Sequence, residues 1–109
     1  MVHKASIIAM DNAVLALFYE GKMKIGTLAV STSGLRKGST GTSSVLLGGK
    51  YLIAARALAE KVAATFKKMG IVSLNTHLAE GEALRLYSNL LDRARGSEPA
   101  GSEKPASKG

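Results

Sequence analysis

The sequence predicts an α+β domain in which two helices cover one face of a mostly antiparallel sheet. Five short apolar segments are bounded by turns rich in Gly, Asn, Ser or Thr, which is typical of strands. Two longer segments repeat apolar residues at intervals of three and four, the spacing of a helix that packs on a core. The expected order is β-β-β-β-α-β-α.

The stretch from Thr42 to Gly70 organises the rest of the chain. It consists of an apolar strand, a Gly-Gly turn and the longest helix that the sequence predicts. The inward positions of this helix are Leu52, Ala55, Ala59, Val62, Phe66 and Met69, and the outward positions are Arg56, Glu60, Lys67 and Lys68. The two lysines are expected in the last helical turn, with Gly70 as a left-handed C-terminal cap.

The strands are expected at His3–Met10, Ala13–Glu20, Met23–Ser31, Thr42–Leu47 and Ile71–Leu78. Asp11-Asn12 and Gly21-Lys22 are short turn sequences, so the first three strands are expected to form an antiparallel meander. The segment Thr32–Gly41 contains mainly Gly, Ser and Thr around a basic pair, and we expect a mobile loop there.

The second helix is expected at Glu80–Ala94, with Glu80 and Glu82 at its N-terminal end and Arg93 near its C-terminal end. Residues 96–109 contain small, charged and Pro residues, which predicts a disordered tail. The expected organisation is therefore one domain over residues 1–95 and a tail over 96–109.

Several strands are apolar at both alternating positions, as in Ala13–Phe18 and Val45–Leu47. A strand with one solvated face would alternate between apolar and polar residues. Two helices cover one face of the expected sheet, so the second apolar face requires another partner. Burial of that face in a homodimer is the simplest solution.

Composition limits the class of protein. The 109 residues contain no Cys, which excludes disulfides, thiol chemistry and Cys-based metal sites. No run approaches about 18 apolar residues, so no membrane-spanning helix is expected. The first residues lack the pattern of a secretory signal, and a cytoplasmic protein is expected. The formal net charge is +7, which suits nucleic acid or an acidic protein surface.

Catalytic and metal-binding patterns are missing from the sequence. His3 and His77 have no Cys partner or zinc-binding spacing, and His77 is interpreted as a surface or hydrogen-bonded histidine. The segment 34–41 contains several glycines, but it lacks the Gly-Lys-Ser/Thr ending of a phosphate-binding loop and leads into a strand. The sequence therefore predicts no enzyme, no cofactor and no metal site.

Nucleic-acid binding is the second interpretation. A basic α+β dimer would contact phosphates through the lysines and arginines Lys22, Lys24, Arg36, Lys37 and Lys50. The segment from Val45 to Lys50, followed by a helix, is loosely similar to the Alba family of archaeal chromatin proteins. Against this interpretation, the sequence places no aromatic residues on an open strand for base stacking.

Two short motifs carry a different resemblance. Gly21-Lys22-Met23 leads into Gly26-Thr27-Leu28, and Thr42-Ser43-Ser44-Val45-Leu46-Leu47-Gly48 opens the long helix. Together with the order of the later elements, these motifs resemble the proteasome assembly chaperone 3 family over most of Met10–Ala94. The motifs are structural and mark a fold family more than an activity.

The resemblance implies a non-enzymatic chaperone. Members of this family dimerise through their sheets and hold α-type subunits of the proteasome core particle while the α ring assembles, and the eukaryotic members pair with a type 4 chaperone. The absence of Cys and of the family's N-terminal extension favours an archaeal-type homodimer. From their expected exposure and charge, the residues predicted to contact an acidic partner surface are Lys22, Lys24, Leu35, Arg36 and Lys37.

Overall fold

The computed structural model describes residues 2–32 and 43–97, with side chains described as far as residue 94. The elements are β1 (His3–Ala9), β2 (Ala13–Glu20), β3 (Thr27–Ser31), β4 (Ser43–Leu47), α1 (Leu52–Phe66), β5 (Met69–Asn75) and α2 (Glu80–Ser97). This order confirms the predicted α+β class. Helix α2 extends to Ser97, so the first two residues of the predicted disordered tail are helical and the boundary at residue 96 is wrong. The rest of the tail, from residue 98, lies outside the described residues, and so does most of the predicted mobile loop, from residue 33.

The five strands form one mixed sheet in the order β1-β2-β5-β3-β4. Three of the four pairings are antiparallel, and the pairing of β2 with β5 is parallel. The predicted three-strand meander is therefore wrong in one respect, because β5 lies between β2 and β3. The chain from β2 to β3 crosses the end of β5, where the Gly26 amide donates a hydrogen bond to Ser73 Oγ at 3.0 Å.

Both helices lie on one face of the sheet. The strand register puts Phe18, Leu74 and Thr27 on that face, together with their neighbours two residues away on each strand. The core between sheet and helices consists of Val14, Ala16, Phe18, Ala29, Ala54, Ala55, Leu58, Ala59, Val62, Val72, Leu74, Ala83, Tyr87 and Leu91. The small alanines of α1 allow this helix to pack closely on the central strands.

The other face carries no described helix, and we call it the helix-free face. The register assigns to it Lys4, Ser6, Ile8, Leu15, Leu17, Tyr19, Leu28, Val30, Ile71, Ser73 and Asn75. Leu15, Leu28, Val30 and Ile71 are half-buried, and Ile8 is 49% exposed. On β2 and β3 this face is mainly apolar, as expected for Ala13–Phe18. On β1 and β5 the face also carries Lys4, Ser6, Ser73 and Asn75.

Helix α1 ends earlier than the sequence analysis predicts. Lys67 adopts the left-handed conformation with φ 60°, and its amide donates to the Ala63 carbonyl at 2.8 Å. Lys67 is therefore the C-cap, and no basic residue lies in the last turn. Gly70, predicted as the cap, is a residue of β5. Leu52, predicted to face inward, is 45% exposed because the buried side of α1 begins at Ala54.

Gly70 has a packing role instead. A Cβ atom at this position would lie 2.6 Å from the Ala59 carbonyl oxygen and 2.8 Å from the Ala63 amide nitrogen. Because these are backbone atoms of α1, a side chain at residue 70 would push the helix away from β5. Within the described residues, no helix has the length and hydrophobicity needed to cross a membrane.

Candidate functional site

One end of the sheet gathers most of the polar and exposed apolar features of the molecule. Strands β2, β4 and β5 end there, while β1, β3 and both helices begin there. Two groups of side chains lie at this end. The first is a buried polar cluster around Glu20, and the second is an exposed surface of apolar and lysine side chains.

Glu20 is the centre of the polar cluster, and its side chain is 7% exposed. Its Oε1 accepts hydrogen bonds from Thr76 Oγ1 at 2.5 Å and from the His77 amide at 2.8 Å, and its Oε2 lies 3.1 Å from His77 Nδ1. The Thr76 hydroxyl, followed by the His77 amide and ring, lowers the pKa of Glu20 from 4.5 to about 2. The His77 ring itself is 88% exposed, as expected for a surface histidine.

Two tyrosines extend this cluster into the core. Tyr87 is fully buried, and its hydroxyl lies 3.0 Å from His3 Nδ1. Burial, as the largest cause, raises the pKa of Tyr87. The Tyr51 hydroxyl lies within hydrogen-bond distance of the Thr76 and Leu78 carbonyls, at 2.9 and 2.7 Å. These contacts join β1, β2, the end of β5 and both helices, so the cluster stabilises this corner of the fold.

One cavity in the described part of the chain lies close to the polar cluster. This shallow cavity of about 280 Å³ is lined by His3, Leu78, Glu82, Arg85, Leu86 and Asn89. Glu20 and Tyr87 do not line it, so His3 is the side chain that the cluster shares with the cavity, beside the ionisable residues Glu82 and Arg85. In the same part of the chain, no group of three or more His, Asp or Glu side chains is placed to hold a metal ion.

The start of α1 is closed by a carboxylate from α2. Tyr51 precedes the helix in the left-handed conformation, with φ 59°, and its side chain makes no capping hydrogen bond. Glu80 Oε2 instead accepts from the Ile53 amide at 2.6 Å and from the Ala54 amide at 2.8 Å. Free helix amides attract anions. In this chain the Glu80 carboxylate occupies the position that a bound anion would take at the start of α1.

Seven of the nine large apolar side chains exposed in the described part of the chain lie at this same end. One of them is Val2, which precedes β1. The other six are Met23, Ile25, Leu46, Leu47, Leu52 and Ile53, and their exposed fractions range from 45% to 69%. Lys22, Lys24 and Lys50 are exposed among them. These six apolar residues and three lysines are together called the end patch below.

The two segments that form the end patch meet at Thr27. The Thr27 hydroxyl donates to the Lys50 carbonyl at 2.5 Å. Gly48 has a positive φ of 109°, and a Cβ atom there would lie 2.7 Å from Thr27 Oγ1. These contacts bring the chain that leads into β3 against the turn between β4 and α1, so residues distant in sequence form one surface.

No family model, no curated protein and no solved structure matches this chain. The site is therefore interpreted from its own geometry.

The predicted partner-binding residues divide into two groups. Lys22 and Lys24 are exposed and belong to the end patch. Leu35, Arg36 and Lys37 lie outside the described residues. Sequence analysis missed the apolar part of the patch, although the pairs Leu46-Leu47 and Leu52-Ile53 carry a signal. Two successive residues of a strand or helix point in different directions, so at most one member of each pair can face the core.

The polar cluster predicts a loss of stability in acid. Folding lowers the pKa of Glu20, so its stabilising contribution is present above about pH 4.5 and is lost as the pH falls toward about 2. In Glu20→Gln this part of the pH dependence is expected to disappear, because the amide does not titrate. Urea unfolding followed by circular dichroism across this pH range measures the effect, with the parent protein as the reference. Equal pH slopes for the two proteins would contradict the prediction.

Proposed function

We propose that this chain is a non-enzymatic protein-binding chaperone that works as a homodimer. On the resemblance of its motifs to the proteasome assembly chaperone 3 family, we further propose that it acts in the cytoplasm of an archaeal-type cell, where its partners are α-type subunits of the proteasome core particle during assembly of the α ring. The observation that carries the proposal is the end patch. Contiguous exposed apolar surface is typical of sites that bind another macromolecule.

The homodimer is supported by the helix-free face. Its half-buried residues Leu15, Leu28, Val30 and Ile71 come from three neighbouring strands and form an apolar surface that no described helix covers. A second copy of the chain would bury this surface. It would leave the end patch free at the edge of the dimer except for Leu47, which pairs with Leu28 and so lies on the helix-free face. Ile8, at 49% exposure, lies on the same face.

The dimer is tested by light scattering on the purified chain. The parent is expected to have the mass of two chains. Ile8→Lys combined with Val30→Lys is expected to give the mass of one, because each substitution would bury a charge in the interface. Ile53→Ser, on the end patch, is the matched control and is expected to remain dimeric. A monomeric parent, or a dimeric double variant that is folded, would contradict the proposed interface.

The partner is tested by a pull-down of recombinant α subunits from the same source, with duplex DNA added at physiological salt. Retention of the α subunit in the presence of DNA is the expected result, because a partly apolar interface depends less on salt than phosphate contacts do. Retention of DNA without the α subunit would overturn the proposal and favour an Alba-like nucleic-acid-binding protein. Retention of neither would also contradict the proteasome partner.

A further inference from the structure

We propose that the end patch binds an acidic segment of a partner protein that carries large apolar side chains among its carboxylates. This inference deepens the proposed function, because it states the chemistry of the partner surface, and it rests on the proposal that the chain binds protein. It is carried by the charges and exposures at one end of the sheet.

Three lysines give the end patch its positive charge. Lys22, Lys24 and Lys50 are exposed, and among the described residues none of them forms an ion pair. Two carboxylates at this end of the sheet make hydrogen bonds within the fold. Glu20 accepts hydrogen bonds from Thr76 and His77, and Glu80 accepts from two amides of α1. Both carboxylates keep their negative charge, but neither forms an ion pair with the three exposed lysines. A partner with carboxylates is electrostatically complementary to these lysines.

The end patch contains both charged and apolar side chains. Lys22, Met23, Lys24 and Ile25 alternate in sequence, and all four are exposed. Exposed ammonium groups and exposed apolar side chains therefore occur together in this short segment. A nucleic acid would neutralise the lysines but leave Ile25 and Ile53 in water. An acidic and apolar segment of protein satisfies both kinds of side chain.

A membrane surface is a further alternative for this mixture of side chains. Shallow insertion of Met23 and Ile25 would leave the neighbouring lysines at the lipid headgroups, so vesicles are included in the test below. A protein segment instead places a carboxylate beside each ammonium group and an apolar side chain beside each apolar one. A helix terminus does not provide the anion site here, because Glu80 already occupies the first amides of α1.

The inference is tested with a fluorescein-labelled peptide of Glu, Leu and Ser, by fluorescence anisotropy at physiological salt. One control peptide has Gln in place of each Glu, and a second has Ser in place of each Leu. The parent peptide is expected to bind with a dissociation constant on the order of 10 µM, and each control peptide about tenfold more weakly. Equal binding of the three peptides would overturn the inference.

Variants locate the binding surface. Ile53→Ser and Lys24→Glu change exposed side chains of the end patch, and each is expected to weaken peptide binding about tenfold. Met10→Ser and Arg93→Glu change exposed side chains outside both the end patch and the proposed dimer interface, and they are the matched controls for apolar and charge loss. Unchanged unfolding temperatures establish that the variants are folded. Peptide binding that is the same in the patch variants and the controls would overturn the inference.

Duplex DNA and vesicles containing anionic lipid are tested with the same variants. Binding of either one through Ile53 and Lys24, more tightly than the peptide binds, would overturn the inference in favour of that class of partner.

Failure of this inference can be distinguished from failure of the proposed function by repeating the α-subunit pull-down with the patch variants. A retained α subunit that Ile53→Ser and Lys24→Glu do not weaken would overturn the end patch as the contact while leaving the chaperone function standing. Specific peptide binding without α-subunit retention would support the patch and contradict the proteasome partner.

Discussion

Replacing Tyr87 with alanine is expected to lower the free energy of unfolding by about 4 kcal/mol. Tyr87 is fully buried, its ring centroid lies 5.6 Å from that of Phe18, and its hydroxyl lies 3.0 Å from His3 Nδ1. Truncation removes the largest fully buried side chain and leaves a cavity between α2 and the first two strands. Urea unfolding monitored by circular dichroism measures the change.

Tyr87→Phe measures the contribution of the hydroxyl group to stability separately from that of the ring. This variant keeps the packing against Phe18 and loses the contact with His3, so its expected destabilisation is about 1 kcal/mol. A Phe variant as unstable as the Ala variant would show that the hydrogen bond, not the ring, stabilises this corner. That result would contradict the role assigned here to Tyr87.

Replacing Gly70 with alanine is expected to lower the free energy of unfolding by about 3 kcal/mol. The added methyl group would lie 2.6 Å from the Ala59 carbonyl oxygen and 2.8 Å from the Ala63 amide nitrogen. Both atoms belong to the helix backbone, so side-chain rotation cannot relieve the contact. Helix α1 must move away from β5, and the close packing of Ala59 and Ala63 on the sheet is lost. Thermal and urea unfolding measure the loss.

Gly81→Ala is the matched control for Gly70→Ala. A Cβ atom at Gly81 has no neighbour within 4 Å, and Gly81 lies in helix α2. Alanine is the better helix former, so this variant is expected to be as stable as the parent or more stable by up to about 1 kcal/mol. Equal destabilisation by the two substitutions would refute the packing role of Gly70.

The sequence predicts the number, type and order of the elements because these depend on local periodicity and turn residues. It does not predict which strands become neighbours. Gly21-Lys22 resembles a hairpin turn, but β5, which follows α1 in the chain, enters between β2 and β3. Gly70 was interpreted as a cap from its place after an apolar helix. Its actual role depends on the distance between α1 and β5, which no local pattern contains.

The site is predictable to a smaller extent. Lys22 and Lys24 were identified from charge and turn position, and both are exposed. The contacts of Glu20 with Thr76 and His77 join residues more than fifty positions apart, so spacing carries no sign of them. The apolar part of the end patch depends on which strand is at the edge of the sheet. That property, again, follows from strand order and not from composition.

The central position of β5 has a consequence for how the chain acquires its fold. During synthesis, β1 and β2 can pair as soon as they emerge, and so can β3 and β4. These two hairpins share no strand pairing until residues 69–75 arrive between them. The slow step of folding is therefore expected to be the joining of two preformed halves by a late strand, because β5 pairs with residues about forty or more positions earlier in the chain. A nascent chain that ends before β5 exposes one unpaired edge of β2 and one of β3. In the finished protein, β5 pairs with both of these edges.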